Sequence, residues 1–268
     1  MGVVNVTPDS FSDGGKWLDP DLAIKHGRDL VREGADLIDI GGESTRPGAS
    51  RPSVQEEMDR VLPVISTLSN EGVLTSVDTM RAEVATAAVD AGAALVNDVS
   101  GGRADPAMFE AVARCGAPYV LMHWRSHSHT MQEHTEYVDV VADVIAELEE
   151  QLALAIGAGI APERIALDPG IGFSKTAEQN WDVLTSMTEL HRVGHPMLIA
   201  TSRKRFLGAL LADEAGELRP PSQRDDGTLA TSALAAVCGA WCIRVHSVRP
   251  TVDAVKVASR WVRGREQG

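Results

Sequence analysis

Aromatic side chains are scarce: four Phe, two Tyr and five Trp make up 4% of the 268 residues. A core has to be assembled from Ala, Val, Leu and Ile instead. Long hydrophobic runs are missing as well. None approaches the ~20 apolar residues of a membrane span, so no membrane partner is expected. The three cysteines, Cys115, Cys238 and Cys242, match no metal-ligand spacing and leave one unpaired, which points to a reduced, cytoplasmic setting. No basic segment precedes the opening VVNV, and Val6 stands where myristoylation would want Ser or Thr; neither a secretory signal nor a lipid anchor is expected. Positive charge is in deficit, with 25 Lys and Arg against 38 Asp and Glu, a net charge of −13. Such a globule is a poor non-specific nucleic-acid binder. A small anionic substrate would need cations concentrated locally, and Lys204 and Arg244 are candidates.

What is present is a regular alternation. Eight short apolar runs, 2–6, 36–40, 74–78, 94–99, 119–123, 164–168, 197–201 and 242–246, are separated by segments with helical periodicity. Asp19-Pro20 is an N-cap followed by proline, opening a helix to Glu33. Ser53 and Glu56 form a capping box. Between Val138 and Ile156, apolar residues at 141, 144, 145, 148 and 152 share one helical face. Gly34, Gly72, Gly92, Gly116, Gly159 and Gly194 sit where helices need a left-handed terminus. Eight parallel strands alternating with helices predict a single-domain (β/α)8 TIM barrel. A doubly wound sheet is the rival, but no Gly-rich dinucleotide loop is present. The polar stretch Asp213 to Gly227 reads as a loop. Barrels usually carry a short lead-in before the first strand, so residues upstream of Met1 are an expectation.

Barrel chemistry collects at the C-terminal ends of the strands. Those ends carry Asn5, the run Gly41 to Arg46, Asp78, Asn97-Asp98, His123, Asp168, Ser202-Arg203-Lys204, and Arg244 with His246. A carboxylate or amide ending a buried strand is costly unless paired, by the fold or by a ligand. Asp98 reads equally as a cap and as a site residue. His123 reads equally as a core histidine and as a ligand contact. Glu43 could brace Arg46 or nearby backbone. His127, His129 and His134 have metal-like composition but match no strong motif. Three loops border the ring: 7–15 with Asp9 and Asp13, 43–52 with Thr45 and Arg46, and 170–175, where Phe173 could flank a flat substrate.

The charges suggest a ligand with two halves. Asp78, Asn97 and Asp168 are acceptors suited to a fused heterocycle with an amino-amide edge. Arg244 and His246 form an anion site near Asn5, which could also hold Mg2+ completed by water and substrate phosphate.

The segments MGVVNVTPDSFSDGG, DIGGESTRPGA, SVDTMR, NDVSGG, LDPGIGF, SRKRFLG and RVHSV resemble, in order, those of the dihydropteroate synthase family of pterin-binding barrels. The similarity runs from Gly2 to about Val257. It implies a transferase of folate biosynthesis that joins (7,8-dihydropterin-6-yl)methyl diphosphate to 4-aminobenzoate, releases pyrophosphate, uses Mg2+ and works as a homodimer. By position it implies Asp78, Asn97, Asp168 and Lys204 around the pterin. Asn5, Thr45, Arg244 and His246 would hold the diphosphate, with Asn5 as metal ligand and Asp13 reaching in as the first loop closes. Arg46, Pro47, Phe173, Ser202 and Lys204 would line the aminobenzoate pocket. The implied chemistry is dissociative, through a pterin-methyl cation. With no extra residue beside Phe173, sensitivity to sulfonamides is expected. Folate-dependent methyltransferases share the pterin clamp but need no diphosphate cradle; Ser202 to Lys204 and Arg244 to His246 favour the synthase. A non-catalytic relative would be expected to lose loop residues that are intact here.

Overall fold

The computed structural model describes residues 1–7, 19–44, 51–126 and 134–266. All eight expected strands form: β1 (Gly2–Asn5), β2 (Ile38–Gly41), β3 (Thr75–Asp78), β4 (Leu95–Asp98), β5 (Tyr119–Met122), β6 (Ile165–Asp168), β7 (Leu198–Ile199) and β8 (Cys242–Ile243). Neighbours pair in parallel from β1 to β6 and from β7 to β8. Single parallel bridges, Leu167 to Met197 and Gly2 to Val245, join these two sets and close the ring as a (β/α)8 barrel.

The helices are α1 (Pro20–Arg32), α2 (Val54–Asn70), α3 (Ala82–Asp90), α4 (Met108–Cys115), α5 (Val140–Gly157), α6 (Ala177–Thr185), α7 (Met187–Leu190), α8 (Arg205–Leu210), α9 (Asp225–Val237) and α10 (Val248–Glu266). Their starts obey local chemistry. Asp19 accepts from the Asp21 amide at 2.9 Å, and Ser53 and Glu56 complete the capping box in both directions. The six glycines expected at helix ends all adopt positive φ. One expectation is corrected: α9 begins at Asp225, inside the stretch read as loop. Its acidic first turn, Asp225 and Asp226, complements the helix N-terminus.

Strand parity decides what faces the barrel axis. The inward set includes Leu95, Val120, Ala166, Leu198 and Ala200, a buried apolar cluster joined by Met1, Leu37 and Cys242. The outward set, among it Val4, Ile40, Val77, Val96, Leu121 and Leu167, packs in the main core with helix residues such as Ile65, Leu68 and Leu148. Moving two residues toward the C-terminal end keeps the inward face but changes its chemistry. Asn5, Gly41, Asp78 and Asn97 are aligned in register across β1 to β4. By the same parity Asp39, Asp168, Arg244 and His246 also face inward. The barrel interior is apolar below and ionic above.

Candidate active site

Arg244 is the hub of the ionic layer. Its Nε donates to Asp39 Oδ2 at 2.6 Å and its Nη2 to Asp78 Oδ2 at 2.7 Å. Asn97 Nδ2 donates to the same Asp39 oxygen at 3.0 Å. Burial alone would lower the Arg244 pKa, but Asp39 and Asp78 outweigh it and raise the value. Burial pushes Asp78 up to about 7; Arg244 pulls against it, while Asp39 and Glu57 reinforce it. Asp78 is therefore not an unpaired acceptor, as its position at a strand end suggested. One oxygen is committed to Arg244. Asp168 is similarly half-committed, with Oδ1 accepting from the Gly170 amide at 2.7 Å. Burial raises the Asp168 pKa, and Lys204 opposes that most strongly. Asp78 Oδ1, Asp168 Oδ2 and Asn97 Oδ1 take no hydrogen bond from a described residue. They remain as acceptors at the mouth.

Asp39 is the residue sequence reasoning missed. It is fully buried, and its Oδ1 has no hydrogen-bond partner among the described residues. The signal was a carboxylate in the middle of Ile38-Asp39-Ile40 rather than at the strand end. An isolated buried carboxylate is costly, and Arg244 is what offsets it.

His246 and Ser202 form a second unit. Ser202 Oγ lies 2.8 Å from His246 Nδ1 and accepts from the His246 amide at 3.2 Å. The hydroxyl has one proton and two lone pairs, so it can give its proton to Nδ1 of an Nε2–H imidazole or accept from an Nδ1–H. Burial, then Arg203 and Arg244, lower the His246 pKa well below the ordinary value. The ring is thus a neutral imidazole beside the charged Arg203 and Arg244. Ser202, expected in the aminobenzoate pocket, contacts His246.

The turn after β7 explains how Ser202 and Lys204 reach the site. Arg203 between them is left-handed, with φ of 59°, which is costly for a non-glycine residue. It is held by two bonds to Asp225, Nε at 2.7 Å and Nη2 at 2.8 Å, and by Arg224 donating to its carbonyl at 2.9 Å. Lys204 Nζ donates to the Ile171 carbonyl and lies 4.8 Å from the Phe173 ring centre. Burial lowers the Lys204 pKa to about 8, against the pull of Asp168. Gly172 makes this approach possible: at φ of 82°, a Cβ there would sit 2.7 Å from Lys204 Cδ.

Other expectations resolve as structure. Asp98 accepts from the Ser100 amide, Ser100 Oγ, the Gly102 amide and Tyr119 Oη at 2.6–2.8 Å, a satisfied turn clamp. Glu43 pairs with Arg51 at 3.1 Å and Arg81 at 3.6 Å. His123 is buried between Lys175 and Glu147. Asp13, Thr45, Arg46 and Pro47, with Asp9, His127 and His129, lie outside the described residues. His134 is exposed, and no metal-holding group of His, Cys, Asp and Glu occurs among the described residues. No described helix is long and apolar enough to cross a membrane.

The sequence pattern of the pterin binding enzyme family matches residues 1–246. The chain belongs to the pterin-binding enzyme family. Within that family it is 51% identical over 268 residues to dihydropteroate synthase of Mycobacterium leprae (strain TN), covering all of this chain and 94% of the relative. The crystal structure of Yersinia pestis dihydropteroate synthase with a sulfonamide drug complex superposes with a TM-score of 0.92 at 42% identity, covering 97% and 93% of the two chains. Xanthomonas albilineans dihydropteroate synthase in complex with 7,8-dihydropteroate gives 0.85 at 44%, covering 97% and 92%. The pterin-binding family assignment agrees with a barrel whose strand ends present acceptors around a central arginine.

Proposed function

We propose that this enzyme is a transferase of folate biosynthesis, a dihydropteroate synthase, which joins (7,8-dihydropterin-6-yl)methyl diphosphate to 4-aminobenzoate and releases pyrophosphate. The observation that carries the reading is the inward-facing layer Asp39–Arg244–Asp78 with Asn97 and Asp168 beside it. Its three uncommitted acceptor oxygens match the N–H donors of a pterin's amino-amide edge. Lys204 approaches from the β6 side.

The step is dissociative. The bond between the methylene carbon and the diphosphate oxygen breaks, and charge grows in opposite senses on the two halves. Asp78 and Asp168 favour the ring as it becomes electron-poor, and His246, in its Nε2–H tautomer, donates to the departing diphosphate. The aminobenzoate nitrogen then bonds to the carbon and loses its proton. An arylamine is weakly basic and nucleophilic when free, so positioning rather than a strong base supplies the rate. Arg46, Pro47 and Phe173 are assigned to the aminobenzoate half, Thr45 to the diphosphate half, and Asp13 to loop closure.

Mg2+ fits the donor set. Asn5 Oδ1 lies 3.5 Å from where a Cβ on Gly41 would stand, so the missing side chain leaves a hollow beside a hard neutral oxygen. A cation that keeps most of its waters needs little more from protein. When bound, it would neutralise charge on the leaving diphosphate. A homodimer is supported by exposed apolar residues on the neighbouring α9 and α10 region, where Leu234, Trp241, Val257 and Trp261 are 53–68% exposed. The free state of Cys115, Cys238 and Cys242 supports a cytoplasmic setting.

Incubation with both substrates and Mg2+ tests the reading. Pyrophosphate and dihydropteroate are expected in equal amounts. Failure to form either, with folded protein, overturns it.

A further inference from the structure

We propose that Lys175 is a positioning residue for the aminobenzoate half-site: its buried ammonium holds the turn Gly170–Ser174 in the shape that sets the Phe173 ring against Lys204. The inference rests on the assignment of Phe173 and Lys204 to that half-site.

The turn is unusually demanding. Gly170 has φ of 69°, and a Cβ there would lie 2.3 Å from the His123 carbonyl oxygen. Ser174 is left-handed as well, φ of 46°, without being glycine. A buried turn must also satisfy its carbonyls. Lys175, 4% exposed, answers both needs. Its Nζ donates to the Gly170 carbonyl at 3.1 Å, the Phe173 carbonyl at 3.3 Å and His123 Nδ1 at 3.0 Å. Three acceptors surround a group that has three protons to give. The two carbonyls flank the segment that carries Ile171, whose own carbonyl receives Lys204 Nζ. Lys175 thus grips the turn from beneath while Lys204 touches it from the mouth.

The support continues away from the site. Because His123 Nδ1 accepts from Lys175, its proton sits on Nε2 and points to Glu147 Oε2 at 2.9 Å. Burial, with Lys175 beside it, lowers His123 to about 4, so the ring is neutral and can accept. Glu147, on α5, also pairs with Arg125. The Arg125 guanidinium stacks 3.7 Å over the Tyr137 ring, and Tyr137 Oη donates to the strained Ser174 carbonyl at 2.9 Å. The chain of contacts therefore leaves the turn at Lys175 and returns to it at Ser174. Burial also draws the Lys175 pKa down to about 7, with Asp168 opposing; the ring of three acceptors is geometry for the protonated amine. None of these groups is needed for bond breaking, yet all of them converge on one substrate-facing turn.

The test compares Lys175→Met with Phe173→Ala in the whole enzyme. Both should raise KM for 4-aminobenzoate about tenfold, the size of one lost ordered aromatic contact. For both, kcat should stay within about threefold, and pterin diphosphate affinity by calorimetry within about twofold. A merely structural lysine would weaken pterin binding and aminobenzoate use together, and that result overturns the proposal. If Phe173→Ala raises KM and Lys175→Met does not, the positioning role falls while the half-site stands. If Phe173→Ala leaves KM unchanged, the half-site assignment falls and the proposal with it. Should Lys175→Met fail to fold, His123→Leu removes one acceptor from outside the turn. It should shift KM for aminobenzoate in the same direction, and an unchanged KM there refutes the role.

Discussion

Replacing Arg244 by Met should destabilise this enzyme through a residue that also lies in its substrate site. The guanidinium is the only group bonded to both Asp39 and Asp78 among the described residues, at 2.6 and 2.7 Å. Asp39 is wholly buried and would keep only the Asn97 amide. Removing one partner of a buried pair costs about 3–5 kcal/mol, because a charge is stranded. The Arg244 side chain is 17% exposed, so water softens the loss and the low end, ~3 kcal/mol, is expected. For a chain of this size that is roughly 6–12 °C in Tm. Thermal unfolding of the unliganded variant measures it. The double variant Arg244→Met with Asp39→Asn should recover at least half of the loss, since it removes the stranded charge along with its partner. A drop under ~1 kcal/mol, or no recovery in the double variant, would refute the idea that Arg244 holds the ionic layer together.

Other consequences are equally direct. His246→Ala should weaken pyrophosphate binding more than binding of a pterin without diphosphate; equal losses in calorimetry would remove the imidazole from the anion half. Lys204 has its pKa lowered by burial from 10.5 to about 8, so kcat/KM should fall as pH rises past 8, and Lys204→Met should flatten that limb. Because its folded value lies under the unfolded one, deprotonation favours the folded state and stability rises from pH 8 toward 10.5; a melting curve therefore separates the activity loss from unfolding. Sulfonamides should compete with aminobenzoate at comparable concentrations, and an inhibition curve needing a large excess would contradict an unobstructed Phe173 turn.

The barrel was legible because each strand is a short apolar run bounded by helix caps, and Asp19, Ser53 and the terminal glycines behave as their local chemistry dictates. The strand-end acceptors were legible for the same reason: a polar residue there stands out against its run. What could not be read is pairing across distance. Asp39 and Arg244 are 205 positions apart and meet only once β8 closes on β1. Their pairing also ties Arg244, set in the anion half by its charge and by the family resemblance, to the acceptor layer. His123 stood out at its strand end, but Lys175 did not stand out from the loop 170–175; their contact spans 52 positions and depends on a turn with left-handed residues. The helix at Asp225 looked like loop because its first turn, Asp-Asp-Gly, has turn composition; its role is to hold Arg203 from outside.

The most direct measurement is the affinity for (7,8-dihydropterin-6-yl)methyl diphosphate of the native chain and of Asp168→Asn, each titrated calorimetrically with Mg2+. Asp168 already gives one oxygen to Gly170, so the amide must turn a donor toward the ligand's own donors, and affinity should fall at least about a hundredfold. Equal affinity in the two proteins would contradict the placement of the pterin at these strand ends.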